Sequence, residues 1–301
     1  MAPAHDSIAT YVIADRVIVG LSHSTPDAAF DAFDVLLTAT PEPPRPWVAC
    51  ESLTAVESAV RASPAAATAL VQVLRATESL PVVTAITVES MAYSMLQHGE
   101  VFQRWLRART SRPARATTGD PVRIERHDTR LDVVLQRPAV HNALNAAMRD
   151  ALCEAFDLVT LDPSIAEVHL HGDGPSFCSG GDLDEFGLAT DAGAAHLIRV
   201  ARSVGQRVHE NADRVTAHLH GASIGAGIEI SAFAGRVVAD PETMISLPEV
   251  RMGLIPGAGG TVSLPRRIGR HRTAFLALTG APLDAETARA WGLVDDAVHP
   301  V

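Results

Sequence analysis

The chain has 301 residues, 47% of them hydrophobic and 20% charged, with a formal net charge of −10. That composition suits one large globular domain or two modest ones, and so acidic a chain offers no basic face to neutralise a nucleic-acid backbone. No lysine occurs, so every permanent cation is an arginine, and the three cysteines (Cys50, Cys153, Cys178) lack metal-type spacing and suit a reducing compartment.

Met1 to Thr10 shows no basic patch followed by an apolar run, and no apolar stretch is long enough to span a bilayer. A cytoplasmic chain with no membrane partner is expected. Residues 66–75 (AATALVQVLR) read as a helix, Leu80-Pro81 as a stop, Val82 to Val88 as a strand and Met91 to Arg107 as a further helix. This order repeats that of a later block, so residues 1–110 are expected to be an α/β extension, either a degenerate duplicate of the following domain or an unrelated addition. Residues 107–120 (RARTSRPARATTGD) have linker composition.

From residue 120 to 301 strand and helix signals alternate, which argues for an α/β class. Strands are expected at Leu131–Leu135, Ala166–Leu170, Val215–Leu219 and Met244–Leu247. Helices are expected from Asn142 to Val159, Ala194 to Glu210, near Ile228, and from Ala285 to Trp291, the last between an Asp284 cap and a Gly292 stop.

Two glycine-rich loops follow strands, FCSGGD (177–182) and GAGIE (225–229), and the second opens a helix. Glycines let the backbone approach a ligand and turn its amides outward. One amide from each loop could converge on a single carbonyl oxygen, and each donor aimed at a developing oxyanion is worth about 3–4 kcal/mol of barrier.

The segments LQRPAVHNALN (135–145), FCSGGDL (177–183), GASIGAGIEIS (221–231), LPEVRMGLIPGAGGT (247–261) and LTGAPLDAETARAWGLVD (278–295) resemble the crotonase, or enoyl-CoA hydratase/isomerase, family. The matches are collinear from about Val122 onward. The resemblance implies a crotonase-like spiral of ββα units with an extra N-terminal α/β domain. It also implies reversible syn-addition of water to a trans-2-enoyl thioester, a lyase reaction of fatty acid metabolism. The catalytic carboxylates fall at Glu229 and Glu249, and the oxyanion amides at Ser179 and Ala226. Thioester binding falls at Arg137, Ala139, His141, Cys178 and Gly180, and further along at Gly181, Asp182, Leu183, Gly225 and Gly257. Coenzyme A enters only as part of the substrate, and no other cofactor or metal is implied. Two carboxylates sharing one water in an apolar pocket titrate as a unit, one protonated and one ionised.

Family members commonly carry lysines near Ala139 and Asp184 that hold the CoA phosphates, and neither is present here. Phosphate contacts are therefore expected from Arg137, from Arg112 and Arg115, or from a neighbouring subunit, with an acyl carrier protein as the alternative thioester bearer. The family also continues past Asp296 into a helical tail that builds trimers. The N-terminal segment is the candidate to cover that surface in a trimeric or hexameric homo-oligomer.

Alternatives remain open. Enoyl-CoA isomerisation uses the same pocket. Gly221-Ala222-Ser223-Ile224-Gly225 matches the nucleophile elbow of serine esterases, with Asp240 and His299 in the required chain order. A non-catalytic pseudoenzyme is the third reading. The pairs His169/His171 and His218/His220 each put two imidazoles on one face of a strand; a metal site is the sharper reading, and hydrogen-bonded strand-end histidines the simpler one.

Overall fold

In the computed structural model, which describes residues 8–14, 16–27, 30–50, 52–109 and 119–298, the chain opens with four short strands: β1 (Ala9–Ile13), β2 (Val17–Ser22), β3 (Val35–Thr38) and β4 (Val48–Ala49). They form one sheet in that order, β1 antiparallel to β2 and the rest parallel. Four helices follow, α1 (Thr54–Ala62), α2 (Pro64–Thr77), α3 (Val82–Gln97) and α4 (Glu100–Ala108). The strand expected at Val82–Val88 is thus the first half of α3. Its many β-branched residues suggest a strand, but Val82, Ala85, Ile86, Glu89 and Ser90 are the buried ones, a spacing of three and four that only a helix places on one face. Pro81 at the N-cap supplies the start rather than a stop. With a helix in the strand position, this segment does not follow the helix–strand–helix order of the later block. Of the predicted linker, Arg107 belongs to α4, and Arg112 and Arg115 lie outside the described residues.

The second part begins with a hairpin of β5 (Val122–His127) and β6 (Arg130–Leu135), then α5 (Ala146–Leu161) and β7 (Glu167–Gly172). The helix expected from Asn142 starts later because Asn145 caps it, accepting from Met148 N at 2.9 Å. The helix expected over 194–210 is two, α6 (Ala192–Ala201) and α7 (Val204–Glu210), separated where Ser203 caps the second. Next come β8 (Val215–Leu219), β9 (Ala222–Ile224), α8 (Ala226–Ser231), β10 (Arg236–Ala239), β11 (Met244–Ser246), α9 (Gly260–Thr279, kinked at Gly269), β12 (Leu283–Asp284), α10 (Ala285–Trp291) and β13 (Asp296–Ala297).

Successive strands alternate between two sheets. β8 and β10 join the six-stranded sheet β13-β10-β8-β7-β6-β5, while β9 and β11 join the three-stranded sheet β12-β11-β9. This is the spiral of ββα turns of the crotonase fold. One glycine loop follows β7 and the other lies between β9 and α8, and the Cys178–Ser223 bridge brings the two together. Val133, Val168, Leu170 and Ala217 fill one face of the large sheet, and Leu152, Phe156 and Val159 of α5 belong to the same buried cluster.

That cluster runs without interruption from Ile13 to Val294, so the two parts share one core. Phe102 of α4 stacks on Trp105 at 5.8 Å and meets Phe186 at 6.3 Å between ring centroids; burying such a ring contributes about 1.5–3 kcal/mol. Arginines of α9 supply polar anchors. Arg266 donates to Leu80 O, Arg270 to Phe33 O, and Arg272 to Trp47 O and Pro43 O, so loop carbonyls covered by packing are satisfied by charge-assisted bonds. Among the described residues no helix is long and apolar enough to cross a membrane.

Candidate active site

Segment 177–182 and the β9–α8 turn are stitched together. Cys178 N donates to Ala222 O at 3.1 Å and Ile224 N to Cys178 O at 2.9 Å. The contact demands a glycine at 227, where a Cβ would lie 2.6 Å from Cys178 O. The left-handed His141 and Asn142 (φ 53° each) form the third edge. Asn142 is wholly buried, accepts from Arg137 N and donates to Asp173 O and Ser176 O, all at 2.8 Å.

This turn corrects one expectation. The Ser179 N–H donates to His141 O at 2.9 Å, so it is spent within the scaffold, and Ser179 does not line the cavity beside the loops. Two residues on, Gly181 does line it. Gly181 bridges Leu144 through the bonds Leu144 N to Gly180 O and Asp182 N to Leu144 O, neither of which uses its own N–H. Ala226 lines the same cavity as the first residue of α8, where an N–H has no partner within the helix.

The cavity holds about 320 Å³ and is walled by Glu229 and Glu249 along with Gly181 and Ala226. Both carboxylates are buried. Oε2 of Glu229 accepts from Ala258 N at 2.7 Å and Gly260 N at 2.9 Å. Glu249 reaches over the β9–α8 turn so closely that a Cβ on Gly225 would lie 2.4 Å from its Oε1. Its Oε2 is buried with no hydrogen-bond partner among the described residues. Burial raises the Glu249 carboxyl to about 8. Burial, Glu249 and Glu89 together raise that of Glu229 well above the usual carboxylate range, against the pull of its two amide bonds. Near neutral pH the pair therefore holds its protons tightly, and ionisation of Glu249 leaves a base beside a Glu229 that is still protonated.

The remaining predicted residues divide. Asp182 lines the cavity, as does Gly257, whose missing side chain makes room for the Tyr93 ring (a Cβ would sit 2.2 Å from it). Gly180 (φ 97°) and Gly225 (φ 49°) shape the loops. Cys178 is buried behind them, its thiol pushed up to about 12 by desolvation. Arg137 is not available to phosphates. It is buried and strapped to Asp182 at 2.8 Å and to Ala143 O, a strut between loops. Ala139 and Leu183 are exposed, His141 bonds Ser176 Oγ at 3.0 Å, and none of the three reaches the cavity.

The esterase elbow also fails. Ser223 is fully buried on β9, its Oγ has no partner among the described residues, and it does not line the cavity. His299 lies outside the described residues.

Glu89, Tyr93 and Arg199 are among the cavity residues that went unread in the sequence. Glu89 of α3 is buried, its carboxyl raised by desolvation to about 7. It accepts from Gly259 N at 2.8 Å and from Thr261 N and Oγ1 at 2.9 and 2.7 Å. Tyr93 carries the Arg199 guanidinium 4.5 Å over its ring, and Arg199 donates to Ser90, Ser94 and Gln97. The signal was a Glu at a core position of the helical period 82, 85, 86, 89, visible only once that segment is read as a helix.

Comparison with known proteins agrees with this geometry. Residues 125–300 match the enoyl-CoA hydratase/isomerase family. The chain is 31% identical over 172 residues to the enoyl-CoA isomerase/hydratase fer4 of Mycosarcoma maydis, covering 54% of this chain and 63% of that one. It is 32% identical over 173 residues to the 2,3-dehydroadipyl-CoA hydratase of Escherichia coli (strain K12), covering 58% and 67%. The crystal structure of enoyl-CoA hydratase from Thermoplasma volcanium GSS1 is similar with a TM-score of 0.55 and 34% identity, over 60% of this chain and 72% of that one. The match thus spans about two thirds of the relatives' length, and α3 with Glu89 and Tyr93 lies ahead of it. The chain belongs to the enoyl-CoA hydratase/isomerase, or crotonase, family.

Proposed function

We propose that the protein adds water reversibly across the 2,3-double bond of a trans-2-enoyl thioester. The observation that carries this reading is the pair of buried glutamates on one cavity, one pinned by two amides and the other with a buried oxygen that has no partner among the described residues. A water between them loses a proton to the ionised carboxylate as its oxygen bonds to C3. The π electrons move toward the thioester carbonyl, and the second carboxyl delivers its proton to C2. The transient charge on the carbonyl oxygen is held by the N–H groups of Gly181 and Ala226, with Gly181 replacing Ser179 in that role. The hydratase named among the relatives acts on a CoA thioester, which supports the substrate class. Coenzyme A enters only as part of the substrate. Arg149 and Arg202 on the cavity wall are the cations placed to meet a phosphate.

The test is a hydration assay on a panel of enoyl-CoA esters, run on wild type, Glu229→Gln and Glu249→Gln. Each substitution is expected to lower turnover by about 10²–10⁴-fold, the usual worth of a general acid or base. Full turnover in either variant removes that carboxylate from the mechanism. Conversion of 3-enoyl to 2-enoyl esters without hydration would assign isomerisation instead.

A further inference from the structure

On the large sheet, the face turned away from α5 carries histidines that the thioester chemistry does not use. His169 and His171 are two apart on β7, so their side chains share that face. One step beyond the Leu170–Ala217 pair, His218 of β8 comes alongside His171. The three rings are near-parallel (13–14°), with centroids 4.5, 5.0 and 6.1 Å apart. His169 Nδ1 lies 2.9 Å from His218 Nε2. One ring nitrogen from each of the three lies within 4.8 Å of the others. His220, the remaining member of the sequence pairs, turns away to Gly174 O.

We propose that His169, His171 and His218 form a binding site for a divalent transition-metal ion of the zinc class, with an open fourth position. Neutral imidazole is the ligand such ions take from histidine, and zinc is held by three or four such donors at about 2.0–2.1 Å. Tetrahedral geometry then separates the nitrogens by about 3.3 Å. The present nitrogens bracket that spacing, with one pair at 2.9 Å and all three within 4.8 Å of one another.

The surroundings fit a metal shell. Carboxylates stand behind two of the rings, Glu167 Oε2 at 3.7 Å from His169 Nε2 and Asp132 Oδ1 at 3.6 Å from His171 Nε2. Such outer carboxylates fix ring orientation and raise ligand basicity. The contact at His169 Nε2 leaves Nδ1 facing the cluster. Val134 pairs with His171, and Val238 with His218, so two buried valines flank the row. His169 and His171 keep 23% and 33% side-chain exposure, enough to admit an ion. Arg130 is the cation facing the cluster, and it is tied to Asp132 at 2.9 Å.

The experiment uses tag-free, chelator-stripped full chain dialysed against micromolar Zn²⁺, with bound metal measured by mass spectrometry. One zinc per chain is expected, and Co²⁺ in its place should give the visible d–d bands of a tetrahedral site. His171→Gln and His218→Gln should each weaken binding by at least the 10–100-fold (about 1.4–2.7 kcal/mol) typical of losing an outer partner, and His220→Gln should leave it intact. In wild type, zinc should shift the imidazole resonances of these three among the 13 histidines. That reading holds even where a variant does not fold. No stoichiometric uptake, uptake retained in both ligand variants, or shifts at other histidines overturns the proposal.

Discussion

The two parts of the chain bring different things to one cavity. The region from β5 onward contributes chemistry written as motifs: glycine loops that expose amides, and carboxylates set beside them. The N-terminal part contributes α3, which carries no motif, yet its Glu89 takes the same peptide segment that holds Glu229. The amides at the start of α9 alternate between the two. Ala258 and Gly260 donate to Glu229, while Gly259 and Thr261 donate to Glu89. A segment with opposite carboxylates on successive amides is fixed from both sides. The limit of the family match is therefore not the limit of the site, and what lies before residue 125 holds Glu229 in register.

The sharpest way to break this comparison is Glu89→Ala. It leaves two buried amides and a threonine hydroxyl without their acceptor, and each unsatisfied buried group costs about 1–3 kcal/mol. A loss of at least about 2 kcal/mol in chemical denaturation is expected. Turnover should fall at least tenfold, as the amides that hold Glu229 lose their opposing anchor. Glu89→Gln keeps the volume and one acceptor and should recover most of both. An alanine variant that unfolds and turns over like wild type would reduce α3 to a mere cover.

The contrast between the parts also explains what could be read in advance. The spiral core was legible because Gly-rich turns and strand runs such as Val215–Leu219 constrain the backbone locally, and the Asp284 cap and Gly292 stop of α10 are local signals too. The carboxylates at 229 and 249 were legible because each sits in a segment with no other use for a charge. The loop residue on the cavity was misplaced by two positions because it depends on which N–H the left-handed turn at His141–Asn142 captures, a contact between Ser179 and a residue 38 positions earlier. Val82–Val88 was misread because β-branched content outweighed period. Burial by α9, almost two hundred residues later, decides for the helix, as tertiary context routinely does. Arg137 looked like a free cation until Asp182 was seen beside it.

A smaller, graded effect separates the parts by pH. Burial raises the Glu89 carboxyl to about 7 and that of Glu249 to about 8. A folded-state value above the unfolded one means that the folded state holds the proton more tightly. The stability it contributes is complete below the unfolded value near 4.5, and is lost as pH rises through about 7 for Glu89 and about 8 for Glu249. The slope reaches at most about 1.4 kcal/mol per pH unit for each proton. Wild type should therefore unfold more easily in mildly alkaline than in mildly acidic buffer. Glu89→Gln should remove the earlier part of that decline and Glu249→Gln the later part. Turnover should rise as pH approaches and passes about 8, where Glu249 ionises and becomes the base while Glu229 still holds the proton destined for C2. A melting temperature that is flat across this range would place these carboxylates in contact with solvent.

The smallest expected effect tests the core region against its own sequence. Ser223 stands in the nucleophile-elbow pattern, and a nucleophile there would make Ser223→Ala inactive toward any ester. In the folded chain the hydroxyl is buried on β9 with no partner among the described residues, while β9 pairs with β11 through Ser223 and Ile245. Removing an unpartnered buried hydroxyl relieves a desolvation cost, whereas the loss of a few van der Waals contacts works the other way. The two nearly cancel, so stability should change by less than about 1 kcal/mol, with thioester turnover unaltered. A fluorophosphonate probe should leave wild type unlabelled. Labelling lost in Ser223→Ala would move the chemistry from the two glutamates to a serine that the fold has turned inward.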